Sequence, residues 1–384
     1  MVSTGILRSA ALAGLLVSTL ALAAFAQKRP PQIPQNTAVA PVPSDPLELV
    51  TGPIQVASTP ASREAALQLL AHARNSYGLR SASQGYDLKV SFTVNSGGQT
   101  EYDGAWEMED ISDPQRGLRW TAKAAAGYTT TRIASNDMFY AEGTASDIPL
   151  RLQEARAALF DPMPSWGNVL RSSIRTSTAT FNGAQITCIL LSASGTAAPN
   201  KVAAAASGRR WEETEECIDP QSGLLQVHSQ VPGRYYAYEY SSAPELDGYT
   251  LPRRVTVTEG GNAVSEITVN SLNPLSGSDP SLFAPTEAMR AKGPAVEMGS
   301  AQKLSGFYGR GSIPSGAIAH PVCVFGLVTA SGKLVEAHSL QPSDPNSQAA
   351  VEAAKRMSFY KPALRGARPE QHFVFITEKF VASK

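Results

Sequence analysis

Residues 86–94 alternate between apolar and polar side chains, and this alternation constrains the fold more than any other feature of the sequence. The apolar positions are Tyr86, Leu88, Val90, Phe92 and Val94. A period of two puts these side chains on one face of a half-buried strand. Similar patterns continue to residue 272, separated by turn sequences such as Asn95-Ser96-Gly97-Gly98. The chain is therefore predicted to form a large antiparallel sheet.

Two helical segments accompany the strand patterns, one before the first strand and one among the later strands. Thr59 and Pro60 form a capped start for the first helix, and Pro149 stands near the start of the second. Many antiparallel strands with two helical insertions predict an α+β fold. We expect one large curved antiparallel sheet, or half-barrel, that is covered by helices.

This order of elements resembles the LolA and LolB lipoprotein-carrier superfamily over residues 58–287. The resemblance rests on the layout, on a Gly-x-Trp strand, and on the phrases at residues 249–253 and 279–285. It implies a half-barrel with helices in its concave face and an apolar cavity between them. The four tryptophans are candidates for lining that cavity, although aromatic residues on a sheet more often belong to an ordinary core. They are Trp106, Trp120, Trp166 and Trp211.

From residue 321 onward the pattern changes to a short ββαβ unit. The first strand, at 322–328, is apolar on both faces. The turn Ser331-Gly332-Lys333 joins it to a second strand at 334–340. Asp344-Pro345 forms the start of an alanine-rich helix. A closing strand follows at 372–381.

The ββαβ unit resembles the C-terminal domain of TonB over residues 315–384. The resemblance lies in the Gly-Lys turn, the alanine-rich helix and the phrase Phe359-Tyr360-Lys361-Pro362-Ala363. The Tyr-Pro that usually precedes the first strand is missing. The resemblance implies that the closing strand lies at a sheet edge and binds an outer-membrane or periplasmic protein by strand addition. The residues expected at that binding edge are Phe373, Val374, Phe375, Ile376 and Phe380.

The N-terminal segment is predicted to direct export. An apolar run at residues 10–22 ends at Ala24-Phe25-Ala26, which predicts a cleaved signal peptide over 1–26 and a periplasmic protein. The alternative is an uncleaved segment that anchors the protein in the membrane. Residues 27–57 are rich in proline, as is typical of a semi-rigid spacer, and the glycine-rich residues 288–314 are predicted to form a linker.

Export puts the three cysteines in an oxidising compartment. Cys188 and Cys217 lie on strands of the same predicted sheet, so we predict a disulfide between them. Cys323 lies on an apolar strand of the C-terminal unit and is expected to be a buried free thiol.

The sequence offers little for catalysis. Its five histidines are scattered, and neither His-Glu-x-x-His nor Cys-x-x-Cys occurs. Glu212, Glu213, Glu215 and Glu216 follow Trp211, and on a strand they are expected to form a solvated edge. The chain is predicted to be no enzyme and to need neither a metal nor a cofactor. Its 33 basic and 33 acidic residues cancel, which argues against a nucleic-acid partner.

Two functions stay open at this point. The first is a non-catalytic periplasmic protein-interaction module that is linked to outer-membrane transport. The alternative is a carrier or binder of a lipid or lipoprotein acyl chain in the cavity of the half-barrel. A protein partner that co-purifies would favour the first function, and an extracted acyl chain the second.

Overall fold

A computed structural model describes residues 49, 52–136, 138–144, 148–193, 208–277, 279–295, 304–313, 322–329, 334–356 and 370–382. The predicted signal peptide and most of the predicted spacer lie outside these residues. Within the described ranges, no helix is long and apolar enough to cross a membrane. Contacts join the same ranges into one compact unit.

The chain is mostly strand. In chain order, the strands are β1 (Gln55–Val56), β2 (Tyr86–Val94), β3 (Gly104–Asp113), β4 (Gly117–Ala124), β5 (Thr129–Ser135), β6 (Met138–Gly143), β7 (Ser172–Phe181), β8 (Ala184–Ala193), β9 (Thr214–Ile218), β10 (Leu225–Val231), β11 (Arg234–Glu239), β12 (Glu245–Leu246), β13 (Tyr249–Thr250), β14 (Arg254–Glu259), β15 (Asn262–Pro274), β16 (Leu304–Ile313), β17 (Val322–Thr329), β18 (Leu334–Ser339) and β19 (Glu370–Ala382). The α-helices are α1 (Pro60–Asn75), α2 (Leu150–Phe160), α3 (Trp166–Arg171), α4 (Glu287–Lys292) and α5 (Ser347–Lys355).

Thirteen strands form one antiparallel sheet, the large sheet, in the order β1-β7-β8-β9-β10-β11-β14-β15-β2-β3-β4-β5-β6. The sheet is open, because its end strands β1 and β6 do not pair with each other. This confirms the predicted large antiparallel sheet. The strand predicted at 86–94 has the predicted bounds, and every second side chain along it is buried.

The helices α1, α2 and α3 share a hydrophobic core with the large sheet. The predicted start of α1 is confirmed: Thr59 caps it in a reciprocal pair with Ser62, and Pro60 occupies its first turn. One face of α1 is then buried at helical spacing, through Ala66, Leu70 and Ala73. α3 contributes Val169 to the same core.

A second, four-stranded sheet, the C-terminal sheet, has the order β16-β19-β17-β18. Ala350, Val351 and Ala354 of α5 pack against it. The predicted ββαβ order is found in β17, β18, α5 and β19. β19 lies in the interior, parallel to β16 and antiparallel to β17.

Two predictions about this C-terminal part need correction. The strand that carries Phe373, Val374, Phe375, Ile376 and Phe380 was expected at a sheet edge, but it has a partner strand on each side. Its backbone donors and acceptors are used within the sheet, so it offers no free edge for an added peptide. Residues 304–313 of the predicted linker form β16, because pairing with β19 outweighs the weak strand propensity of its three glycines.

The predicted disulfide and the predicted buried free thiol are both confirmed. Cys188 on β8 and Cys217 on β9 are direct cross-strand neighbours and form a disulfide. The bridge is fully buried in a second core cluster, on the strands β7 to β11. Cys323 on β17 is free and buried.

Replacing both bridged cysteines by alanine is expected to lower the free energy of unfolding by about 3–4 kcal/mol, because the bridge closes a loop with a sequence separation of 29 residues in the unfolded chain. Urea unfolding without reductant measures this loss. The matched control is Cys323→Ala, which keeps the bridge and should lose less. A peptide mass map that joins Cys323 to either of the other cysteines contradicts the pairing.

Candidate functional site

The helix α2 lies between the large sheet and the C-terminal sheet. Leu152 and Leu159 pack into the core of the large sheet. Leu150, at the start of the helix, packs instead against Phe325 and Leu340 of the C-terminal part. All three leucines are fully buried. α2 is therefore an internal layer with a sheet on either side.

Buried ion pairs hold the N-terminal end of α2. Glu259 on β14 accepts hydrogen bonds from Arg151 Nη1 at 2.8 Å and from Arg234 Nε at 2.9 Å. Arg151 Nη2 donates to Glu336 on β18 at 2.7 Å, and Arg234 Nη2 donates to Glu154 at 2.6 Å. We call these five residues the junction network. None of them is more than 8% exposed.

The charges in the junction network stabilise one another. Burial raises the pKa of Glu259, but Arg151 and Arg234 outweigh that effect and lower its pKa to about 2. Burial likewise lowers the pKa of Arg151, and its acidic partners, led by Glu259, raise it well above its ordinary value. Glu259 and Arg151 are therefore both charged at neutral pH. Three carboxylates face two guanidinium groups in the network.

A turn of the large sheet closes the outer side of the junction. The backbone N–H of Ala337 donates to Gln99 Oε1 at 2.9 Å. Gln99 Nε2 also lies 3.1 Å from Nδ1 of His338, and Nε2 of His338 lies 3.2 Å from Glu336. Because β18 is an edge strand, the Gln99 side chain satisfies one of its outward backbone donors.

The second half of α2 approaches another buried carboxylate. Asp110 on β3 is fully buried and accepts a hydrogen bond from the Tyr86 hydroxyl at 2.9 Å. Arg156 of α2 lies 3.1 Å from Asp110, and Arg80 lies 3.3 Å from it. We call these four residues the Asp110 cluster.

Two aromatic rings support the guanidinium groups of the Asp110 cluster. Arg156 lies 3.8 Å from the centre of the Trp120 ring, and Arg80 lies 4.2 Å from the centre of the Phe160 ring. Burial lowers the pKa of Arg156 to about 10, with the nearby Arg80 adding to the effect and Asp110 opposing it. The negative charge of one carboxylate therefore does not balance the positive charge of the two guanidinium groups.

Between these two charged regions, α2 faces an apolar surface of the large sheet. The surface includes Phe92, Trp106, Met108 and Trp120, and α2 meets the same core through Leu152, Ala155, Ala158 and Leu159. The Phe92 and Trp106 rings stack with their centres 5.3 Å apart. Every one of these side chains is at least nine-tenths buried. Among the described residues this region is a packed core, whereas the LolA resemblance implies an apolar cavity there.

The sequence misplaced the acidic residues around Trp211. Glu213, Glu215 and Glu216 are at most 1% exposed, so they do not form a solvated edge. Each has a basic partner, in the pairs Glu213 with Arg175, Glu215 with Arg209 and Glu216 with His228. Trp106, Trp120 and Trp211 are buried in cores and Trp166 is half-buried.

Cys188, Glu215 and Cys217 carry ligand atoms within 4.8 Å of one another, as metal ligands do. The two sulfur atoms are bonded to each other, and Glu215 Oε2 accepts a hydrogen bond from Arg209 at 2.6 Å. A metal would need free thiolates at this position. The group is therefore structural in its oxidised form.

A groove of about 530 Å³ lies on the large sheet, along the strands β2 to β5. Its charged side chains already pair: Lys123 lies 2.8 Å from Glu107, and Lys89 lies 3.6 Å from Glu109. A ligand there would have to displace these pairs. The interior beneath α2, with its charged regions, is the better candidate for the functional site.

Replacing Glu259 by glutamine is expected to lower the free energy of unfolding by about 3–5 kcal/mol, because it removes the carboxylate that two buried arginines share. Chemical denaturation measures the loss. The matched control is Glu266→Gln, which removes one half of an exposed pair with Arg254 and should cost less than about 1 kcal/mol. Equal losses in the two variants would contradict the role given to the junction network.

The pH dependence of stability should report the same carboxylate. The pKa of Glu259 is depressed from 4.5 to about 2 in the folded chain, so its contribution is complete above about pH 4.5. That contribution is lost as the pH falls toward 2, because the unfolded chain then binds a proton that the folded chain does not. The stability difference between the native chain and Glu259→Gln should shrink over this interval. A constant difference would contradict the assigned pKa.

No family model matches this chain, and no curated protein matches it. Three solved structures are similar to it over somewhat more than half of its length. A structure named as an outer membrane lipoprotein-sorting protein domain from Vibrio parahaemolyticus shows 10% identity and a TM-score of 0.34, over 58% of this chain and 95% of that one. A LolA superfamily protein from Nitrosomonas europaea shows 9% identity and a TM-score of 0.35, over 57% and 97%.

The protein MucB is also similar, with 10% identity and a TM-score of 0.27 over 58% of this chain and 64% of MucB. At such TM-scores, these similarities carry no argument about function. None of the three proteins is named as a TonB domain, so the TonB resemblance stays a prediction.

Proposed function

We propose that this protein binds the acyl chain of a lipid or lipoprotein beneath α2, as a non-catalytic carrier or binder outside the cytoplasm. The observation that carries the proposal is the way in which α2 is held. Charged side chains hold it near both ends, and between them it covers an aromatic and aliphatic surface of the large sheet.

The apolar contact of α2 with the sheet is modest for a buried helix. Two of the four residues that it contributes to this core, Ala155 and Ala158, are alanines. Moving α2 outward would uncover Met108 and Trp120, which Arg156 of α2 contacts and which need an apolar cover. An acyl chain supplies such a cover, because each buried CH₂ group contributes about 0.8 kcal/mol. A dozen buried CH₂ groups would recover roughly 10 kcal/mol and so offset the contacts that α2 loses.

Two side chains of the C-terminal sheet hold the N-terminal end of α2 in place, and we call their contacts with Arg151 the clamp. Glu336 of β18 pairs with Arg151 of α2, and Phe325 of β17 lies under the same guanidinium group at 5.2 Å. Release of the clamp would free the first turn of α2 while the rest of the large sheet stays intact. Strand addition at β19 has no part in this proposal, because that strand has no free edge.

The sequence points to the same ligand class. The resemblance of residues 58–287 to lipoprotein carriers implies an apolar ligand, and the predicted signal peptide places the protein in the compartment where such carriers work. Binding of the acyl chain would then open the packed core beneath α2.

Weakening the clamp should therefore strengthen binding. A neutral apolar fluorophore, N-phenyl-1-naphthylamine, reports occupancy of the interior, and hexadecanol serves as the competing chain. Glu336→Gln is expected to raise the apparent affinity for both about tenfold, if it lowers the free energy of closure by about 1.4 kcal/mol. Arg151 keeps Glu259 and Glu154 as partners in this variant, so the chain should still fold.

The matched control is Glu352→Gln on α5, which removes one half of an exposed pair with Lys355 in the same C-terminal part. Its affinities should equal those of the native chain. If neither the native chain nor Glu336→Gln binds fluorophore or hexadecanol, while both remain folded by circular dichroism, the proposed function is wrong.

A further inference from the structure

The Asp110 cluster carries more positive than negative charge. Arg80 and Arg156 both approach the same oxygen, Oδ2 of Asp110, and the Tyr86 hydroxyl occupies Oδ1. Two guanidinium groups thus share one carboxylate, which leaves a formal charge of +1.

Both guanidinium groups keep donors that Asp110 does not use. A guanidinium group has five N–H donors in a planar fork. Arg80 uses Nη2 on Asp110, and Arg156 uses Nη2 there and has Nη1 4.0 Å from the Met108 sulfur. Within the described part of the chain, no second acidic side chain pairs with either arginine.

The cluster is open to water on the side of Arg80. The side chain of Arg80 is 38% exposed, that of Arg156 is 13% exposed, and Asp110 is fully buried. The exposed fraction of the charged side chains therefore increases from Asp110 through Arg156 to Arg80. Phe160, the last residue of α2, lies half-buried beside both arginines. The Asp110 cluster therefore lies at the boundary between the core beneath α2 and the solvent.

We propose that the Asp110 cluster binds the anionic headgroup of an amphiphile, with a carboxylate or a phosphate bridging Arg80 and Arg156. This inference rests on acyl-chain binding beneath α2, and it names the class of ligand: a single-chain or multi-chain lipid whose head carries negative charge. The planar forks suit carboxylate and phosphate oxygens, which accept two parallel hydrogen bonds from one guanidinium group. The chain then runs from Trp120 under α2 toward Leu152.

An anionic head is expected to bind more tightly than a neutral one on the same chain. Displacement of N-phenyl-1-naphthylamine from the full chain is measured with three competitors: palmitate, 1-palmitoyl-lysophosphatidate and hexadecanol. Palmitate and lysophosphatidate are the carboxylate and phosphate arms, and hexadecanol is the neutral reference. One or both anionic competitors should displace the fluorophore at concentrations about tenfold lower than hexadecanol.

The variant Arg80→Gln removes the more exposed guanidinium group and leaves Arg156 to pair with Asp110, so folding should be kept. It is expected to cancel most of the anionic preference, which is measured in the same variant as the ratio between the displacing concentrations of hexadecanol and of the anionic competitor. The matched control is Arg254→Gln, an exposed arginine of the same sheet that pairs with Glu266. That control should keep the full preference.

The outcomes separate the headgroup site from the proposed function. A preference for palmitate alone, or for lysophosphatidate alone, supports the site and identifies the source of the anion. Displacement by all three competitors at equal concentration, unchanged in Arg80→Gln, overturns the headgroup site while acyl-chain binding stands. Failure of every competitor to displace the fluorophore from both the native chain and Glu336→Gln overturns both. Thermal unfolding of each variant confirms that the compared chains are folded.

Discussion

The buried carboxylate of Glu259 fixes how the two sheets and α2 fit together. A buried charge is tolerated only when it is paired and hydrogen-bonded, and Glu259 has two guanidinium groups for this purpose. Each guanidinium group in turn needs a further acceptor. Arg151 finds Glu336 on the C-terminal sheet, and Arg234 finds Glu154 on α2. Displacing any one of these elements would leave a charge in the interior without its full set of partners, so their relative positions are mutually determined.

The sequence predicted those features that depend on local pattern. The alternation in β2 is a property of nine consecutive residues, and its bounds and buried face were both predicted. The start of α1 follows from Thr59 and Pro60 in the same way. The strand pattern of β7 is weak, because its buried hydrophobic side chains are few, chiefly Ile174 and Ala179, among serine and threonine. Which strands pair with a given strand depends on the tertiary structure and not on its own residues. For this reason β19 was predicted correctly as a strand but wrongly as an edge strand.

The candidate site was less accessible to sequence reasoning, because its charges meet across long separations. Glu259 lies 108 residues from Arg151, and Glu336 lies 185 residues from it. Glu213 and Glu216 were predicted to be solvated because their partners, Arg175 and His228, stand on other strands of the sheet. One local signal was present in β3. Asp110 follows Trp106 and Met108 on the same apolar face, and a carboxylate in that position requires a buried cationic partner.

The two charged regions along α2 differ in their balance of carboxylates and guanidinium groups. The junction network has three carboxylates and two guanidinium groups, while the Asp110 cluster has two guanidinium groups and one carboxylate. In a region of low dielectric constant, an anionic headgroup is attracted by the excess of guanidinium groups in the Asp110 cluster. The junction is also enclosed, with Glu336 fully buried, whereas Arg80 reaches water. An anionic amphiphile therefore has one favourable orientation, with its head at Arg80 and the end of its chain toward the junction, where the C-terminal sheet controls how far α2 can move.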